Sequence, residues 1–318
     1  MKALKELLVY LNMYDLIIIG GGPGGVAAGV YAARKKIKSA LITETFGGQS
    51  LVSADVRNWI GTKSISGFEL GQSLETHLRD QEGIDIFDGE RVSKIEKSPS
   101  GFRVSTESGK TYDSKFILTT AGSRRRKLNV PGEEKHEGRG VAYCSICDAP
   151  LFNDQVVVVV GGGNAGLEAV VDLEPYAKKI YLLERGSEPK GDTITLDKIN
   201  KDPKFELIVN AETLEILGEE KVSGIKYKDL KSGEEKILSV QGVFVEIGIL
   251  PNSEMMGDLI EKNKFGDIIV DHKTQKTSCP GIWAAGDVSD VLYKQNNISA
   301  GDAIKAVLNI YDELNKAS

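Results

Sequence analysis

The sequence predicts an α/β protein built from two three-layer dinucleotide-binding units, and three observations carry that reading. A Gly-x-Gly-x-x-Gly turn, after a short apolar run and before an alanine- or valine-rich segment, occurs twice, with Gly161 repeating Gly20 at a distance of 141 positions. Each turn is followed by a second apolar run that ends in a glutamate. At 318 residues the chain exceeds one comfortable core, so two domains are expected.

The first unit opens with residues 14–19, a buried parallel strand by its apolar run. In Gly20-Gly21-Gly22-Pro23-Gly24-Gly25, Gly20 allows the tight turn, Gly22 lets backbone approach a pyrophosphate, and Gly25 lets helix pack on strand. A helix over 26–35 then turns its unpaired N–H groups and positive dipole end toward the phosphates. A second strand, 39–43, ends at Glu44, nineteen residues after Gly25, where an acidic side chain meets a ribose hydroxyl. Helical spacing of Phe68, Leu70, Leu74 and Leu78 predicts a helix over 67–79. Short strands follow at 84–87, 91–96, 102–106 and 116–120, with hairpin chemistry at Ser98-Pro99-Ser100-Gly101.

The second unit repeats this plan. A strand over 155–160 leads to Gly161-Gly162-Gly163-Asn164-Ala165-Gly166, a helix over 167–176, and a strand over 179–183 ending at Glu184. Two complete units imply two dinucleotides, one pyrophosphate on each. Strands are expected at 206–210, 213–217, 223–229 and 235–240; residues 243–248 then lead to Pro251-Asn252, a turn that carries the chain back toward the first domain. A strand at 267–270, a strand running into the Gly286-Asp287 turn, and a closing helix over 300–315 complete the reading.

Composition excludes several classes. With 41% hydrophobic and 27% charged residues and a net charge of −6, the chain reads as soluble and acidic. Neither nucleic acid nor an anionic membrane is its main partner. The one dense basic run, Arg124-Arg125-Arg126-Lys127, reads as a solvated loop, and its place suits a crossing between domains. No segment approaches the ~20 apolar residues of a membrane span. Leu4, Leu7, Leu8 and Leu11 predict a short helix over 1–12 packed on the body, ahead of a partner-docking role. Glu6 and Asn12 interrupt that run, so it does not read as a signal peptide. Three cysteines without a secretion signal point to the cytoplasm.

Between the two turns stands Cys144-Ser145-Ile146-Cys147-Asp148. Its cysteines suit a redox disulfide, which opens with the two electrons a hydride carries. Half a zinc site is the other reading, but no second cysteine pair exists and His77, His136 and His272 are scattered. Cys279 reads as a small core hydrophobe.

With both units in place, the chain resembles the low-molecular-weight thioredoxin reductase family over essentially its whole length. It looks closest to the branch of bacterial alkyl hydroperoxide reductase flavoproteins, without their N-terminal redox domains. The motifs carrying this are the two glycine turns, Phe46-Gly47-Gly48-Gln49, Val130-Pro131-Gly132-Glu133, the cysteine motif, and Ala285-Gly286-Asp287 followed by Tyr293-Lys294-Gln295. The resemblance implies two Rossmann-like domains, the second inserted in the first. An FAD-binding domain would span 1–122 and 250–318, and a nicotinamide domain 123–249. It implies FAD contacts from Gly20, Gly22, Pro23, Gly25, Glu44, Gly48, Gln49, Asn58, Gly122, Gly286, Asp287, Lys294 and Gln295. For the nicotinamide cofactor it implies Gly161, Gly163, Asn164, Ala165, Gly166, Glu184, Arg185 and Lys190.

Three departures stand out. Thr120-Ala121-Gly122 replaces the usual Ala-Thr-Gly, and Asp148 precedes Ala149 where glycine is usual. Where NADPH users carry His-Arg-Arg, this chain reads Glu184-Arg185-Gly186-Ser187-Glu188-Pro189-Lys190. A carboxylate there suits the free 2′-hydroxyl of NADH and repels a 2′-phosphate, so NADH is favoured over NADPH.

The resemblance further implies that electrons run from nicotinamide through flavin to Cys144 and Cys147. Cys147 would face the flavin, Cys144 would attack the partner, and Asp148 would move the proton. A rotation of the inserted domain, gated near Gly122 and Gly248, is expected. The acceptor would be a thioredoxin, a glutaredoxin or a peroxide-reductase-type redoxin, and the enzyme a homodimer. Two other classes stay open: an NADH oxidase reducing oxygen at the flavin, and a non-catalytic flavoprotein sensor.

Overall fold

The computed structural model describes residues 13–53 and 55–316; the expected helix over 1–12 lies outside them. The chain divides into two compact units. One comprises the chain up to Leu51, Trp59–Arg124 and the chain from Leu250; the other comprises Val52–Asn58 and Arg125–Ile249.

In the first unit β1 (Tyr14–Gly21) runs parallel to β2 (Ser39–Phe46) and β6 (Thr111–Thr119). Between β1 and β2 lies α1 (Pro23–Arg34). This helix begins three residues before the expected start because Pro23 stands in its first turn, where a fixed φ and a missing N–H cost nothing. The helix α2 (Gly67–Arg79) spans the expected residues, and Ser66 and Glu69 close a capping box at its start. Leu70, Leu74 and Leu78 are buried, but Phe68 points to solvent at 61% exposure. Then follow β3 (Ile84–Phe87), β4 (Val92–Ser98) and β5 (Gly101–Thr106), with Ser98 paired to Gly101 across the hairpin turn. The sheet order is β3-β2-β1-β6-β5-β4, parallel through β6 and antiparallel beyond it.

The chain then crosses over through β7 (Ser123–Arg125). The basic run thus begins in a strand, but its side chains stay at the surface: Arg124, Arg126 and Lys127 are exposed and Arg125 is half-buried. Its backbone enters a ladder, Arg124 pairs with Glu254 at 2.7 Å, and Lys127 pairs with Glu137 at 2.8 Å. These surface pairs leave the run solvated, as its charge predicts.

The second unit contains β8 (Val141–Ala142), α3 (Ser145–Asp148), β9 (Val156–Val160), α4 (Asn164–Leu173) and β10 (Lys179–Glu184). After them come α5 (Thr193–Ile199) and β11 (Phe205–Val209). A meander follows, of β12 (Ala211–Gly218), β13 (Val222–Asp229) and β14 (Glu235–Leu238), and then β15 (Gly242–Val245). The parallel sheet runs β11-β10-β9-β15-β8. Its five-valine strand β9 is buried on both faces. Val157 and Val159 pack with Leu167 and Leu173 of α4, while Val158 and Val160 pack with Ile216 and Ile225 of the meander. An unbroken apolar run is what a strand covered on both sides requires.

The return strand β16 (Ile249–Pro251) pairs with β7, and β17 (Ile282–Ala284) adds in parallel to β6. Finally α6 (Asn296–Lys316) closes the first unit, burying Ala303, Ala306, Val307 and Ile310. The strand expected at 267–270 does not form. Ile268 makes only isolated bridges to Lys262 and Ser289, because the Asp267 carboxylate is drawn to the Asn263 and Lys294 side chains and the segment pairs at single points.

Candidate active site

The two glycine turns are close copies in three dimensions. Gly20 has φ +112° and Gly161 φ +117°, a region that side chains strain to enter. A Cβ on Gly25 would stand 1.7 Å from the Gly20 carbonyl oxygen, and a Cβ on Gly166 would stand 1.7 Å from that of Gly161. Helix and strand therefore close on each other in both places. The helix-capping residues match as well, Gly22 at φ −75°, ψ −175° and Gly163 at φ −82°, ψ −177°. Beside Gly163 no atom lies within 4 Å of an added Cβ, and beside Gly22 only the Gly48 Cα does, at 3.9 Å. Each turn thus leaves a cradle open at a helix N-terminus, suited to a pyrophosphate.

In the first unit Gly22, Gly48, Gly286 and Asp287 meet around the start of α1. A Cβ on Gly24 would touch the Ser299 carbonyl at 3.1 Å, and the Ser299 hydroxyl donates to Asp287 Oδ1 at 3.2 Å. Gln49 donates through Nε2 to the Ser123 carbonyl and hydroxyl. Gly122, at φ +65°, accepts from the Asn252 amide at 2.9 Å. The Lys294 ammonium is held by Asp267 Oδ1 at 2.9 Å, the Asp287 carbonyl at 2.7 Å and the Ser289 carbonyl at 3.1 Å. Three donors meet three acceptors, so Lys294 braces the Asp287 loop. Gln295 immediately precedes α6, and its carbonyl accepts the Ser299 amide. Glu44 is exposed with Arg91 3.7 Å away. Asn58 falls in the short segment that groups with the second unit.

In the second unit Glu184 Oε2 accepts the Gly162 amide at 2.7 Å and Oε1 accepts the Gly186 amide at 2.6 Å. Each carboxylate oxygen keeps a further lone pair for a ribose hydroxyl. The following loop folds back on the turn, the Lys190 and Gly191 amides donating to the Gly162 carbonyl at 2.8 and 3.0 Å. Asn164 Oδ1 accepts the Asp192 amide at 2.8 Å, and Ala165 is exposed. Arg185 is exposed and pairs with Glu212 at 2.9 Å.

Cys144 and Cys147 form a disulfide across α3, with Cα atoms 5.3 Å apart. Cys144 caps the helix and its carbonyl accepts the Asp148 amide at 3.0 Å. Burial pushes the Asp148 carboxyl up to about 6, against the pull of Arg125. Ala149 is right-handed helical at φ −50° and buried at 2%, so the alanine that departs from the usual glycine needs no special conformation and fills a core position. Cys279 is a free, buried thiol in the first unit's core.

One part of this neighbourhood escapes sequence reading. Glu246, Asp172 and Arg125 gather beside Ser145, and Glu246 is buried. The available signal was an acid directly after the fully apolar run Val243-Phe244-Val245.

Residues 14–305 match the family model of pyridine nucleotide-disulphide oxidoreductases. The chain is 40% identical over 299 residues to a subunit of alkyl hydroperoxide reductase from Staphylococcus aureus, covering 94% of this chain and 59% of that protein. It is 41% identical over 301 residues to an NADH dehydrogenase of Bacillus subtilis, covering 95% and 58%. The chain therefore spans about three fifths of the length of these curated relatives. Among solved structures, a thioredoxin reductase of Streptococcus pyogenes superposes with a TM-score of 0.89 at 34% identity, covering 96% of this chain and 99% of that one.

Proposed function

Since the chain belongs to the pyridine nucleotide-disulphide oxidoreductase family, we propose that it passes electrons from NADH through FAD and the Cys144–Cys147 disulfide to the disulfide of a small redoxin-type protein. The observation that carries this reading is a closed Cys144–Cys147 disulfide, with a carboxyl tuned to about 6 beside it, in a chain with two matching pyrophosphate cradles. When bound, the two cofactors supply the two-electron transfer. Their fit is supported by the open space at Gly22 and Gly163 and by Glu44 near the end of β2 and Glu184 at the end of β10. FAD belongs to 1–122 with 250–318, and the nicotinamide cofactor to 123–249.

The chain's own residues do the rest. Once the disulfide is open, the Cys144 thiolate attacks the redoxin disulfide, forming a mixed disulfide and releasing one redoxin thiolate. Cys147 then attacks Cys144, re-forming the internal disulfide and releasing the second redoxin thiol. Asp148, poised near 6, gives protons to the departing thiolates and recovers them from solvent. Glu184 orients the ribose hydroxyls and disfavours a 2′-phosphate, and the name of the Bacillus subtilis relative supports NADH as donor. A thioredoxin, a glutaredoxin or a redoxin domain of the peroxide-reductase type is the acceptor. The enzyme works as a homodimer in the cytoplasm, where a paired cysteine motif turns over.

One experiment tests the whole reading. NADH is added to the FAD-loaded protein, and then a panel of oxidised redoxins, while flavin absorbance is followed. NADH should bleach the flavin with a kcat/KM well above that for NADPH, and a redoxin should restore the colour. Cys144→Ser and Cys147→Ser should keep the bleaching and lose redoxin reduction. Redoxin reduction that survives both changes overturns the disulfide route.

A further inference from the structure

One buried carboxylate beside the redox loop is not used by the proposed electron path. Glu246 follows β15 and is 7% exposed, and its own amide bonds the Val160 carbonyl at 2.9 Å. Its carboxylate accepts the backbone amide of Ser145, the residue after Cys144. One of its oxygens stands 3.9 Å from Arg125 Nη1. The Ser145 hydroxyl donates in turn to Asp172 Oδ2 at 2.7 Å. The charged and polar groups facing Glu246 are thus Arg125 from β7, Glu168 and Asp172 from α4, and the Ser145 amide from α3. Arg125 is also the cation that faces Asp148.

One guanidinium therefore serves two carboxylates, and the charge state of either is felt by the other. Burial pushes Glu246 up to about 7, so it changes charge across the range in which a dithiol is used. Opening the disulfide breaks the S–S bond with an electron pair; one proton leaves a thiol and a thiolate, and a second gives two thiols. An ionised Glu246 opposes that thiolate and occupies Arg125, whereas a protonated one does neither.

We propose that Glu246 is a positioning residue for the redox pair: held against the Ser145 amide and Arg125, it sets the local charge and so the share of thiolate that reduced Cys144 and Cys147 present at neutral pH. This rests on the reading of Cys144 and Cys147 as the redox centre.

The test is alkylation of the dithiothreitol-reduced, FAD-loaded protein by iodoacetamide from pH 5 to 9, with modified cysteines counted by mass spectrometry. Glu246→Gln keeps an acceptor for the Ser145 amide but cannot ionise. Below pH 6 its rate should match wild type, and between pH 7 and 8 it should be about three- to tenfold faster, the effect of up to one pKa unit on the thiol. Arg125→Gln removes the shared cation and should slow alkylation over the same range. Loosening of the loop would speed both variants alike, at every pH, so opposite signs mark the charge effect. Superimposed profiles for Glu246→Gln and wild type, or the same shift in both variants, overturn the role of Glu246. A pair that neither forms a disulfide under oxidant nor opens with dithiothreitol sinks the redox reading instead.

Discussion

Asp148 meets two demands that oppose each other. As a proton carrier it must titrate near working pH, and burial achieves this by disfavouring its ionised form. The same burial weakens the fold. The carboxyl rises from 3.8, its ordinary value, to about 6 in the folded protein. Well below 3.8, at pH 3 or less, it is protonated in both states and contributes almost no difference. As pH climbs from 4 to 6 the unfolded chain ionises more readily, so stability is lost over that window and stays lost above it. Asp148→Asn, always neutral, should therefore raise the melting temperature at pH 8 and leave it nearly unchanged at pH 3. With a discount for its partial exposure, the gain is on the order of 1–2 kcal/mol, a shift of about 2–6 °C. The same variant should lose about a hundredfold in redoxin reduction, the usual worth of a placed acid–base group. A melting gain of equal size at both pH values would mean that packing, not charge, separates Asn from Asp.

Along the elements, the clearest contrast lies within one glycine turn. An added Cβ at Gly166 collides with the Gly161 carbonyl at 1.7 Å, whereas at Gly163 it meets open space. Gly166→Ala should therefore cost several kcal/mol of stability, because helix and strand must part. Gly163→Ala, at φ −82°, should melt within a degree or two of wild type, yet raise the KM for NADH at least tenfold by filling the pyrophosphate cradle. Flavin bleaching at graded NADH, set beside thermal melts of both variants, separates the two effects; normal NADH use by Gly163→Ala would remove that turn from the nucleotide site.

These turns were legible because glycine, strand and helix signals coincide within thirty residues and then repeat. So was α2, where leucine spacing and a Ser66–Glu69 cap agree. By contrast α5 is seven residues with one buried side chain, Ile199, and its start depends on the lone Asp192 cap. So short an element leaves no periodicity to read. The 267–270 segment looked like a strand by β-branched content, but the claims of Asn263 and Lys294 on Asp267 and its isolated bridges override propensity. The Glu246 cluster joins β7, α3, α4 and the end of β15, and only the folded chain brings those four places together.

Across the whole molecule, sequence continuity and core membership do not coincide. The buried cluster of Ile17, Ile42, Ile117 and Ile282 draws on both ends of the chain, so the first unit cannot complete its sheet without β17 or cover α1 without α6. The second unit's two clusters draw only on residues between Leu128 and Ile247. Two short crossovers, β7 and β16, join the units and pair with each other. Each unit therefore carries its own burial, which is what an independently melting domain needs. Scanning calorimetry should show two transitions. FAD, bound to the discontinuous unit, should raise one of them by mass action, and NADH should raise the other. At a hundredfold excess over Kd the stabilisation is about 2.7 kcal/mol, enough to move a transition by several degrees. At the same NADH concentration Gly163→Ala should cut the NADH-dependent shift to about half or less, and leave the FAD-dependent one intact. A single transition that both nucleotides move together would mean that the units unfold as one, and that the crossovers transmit more than the separate cores imply.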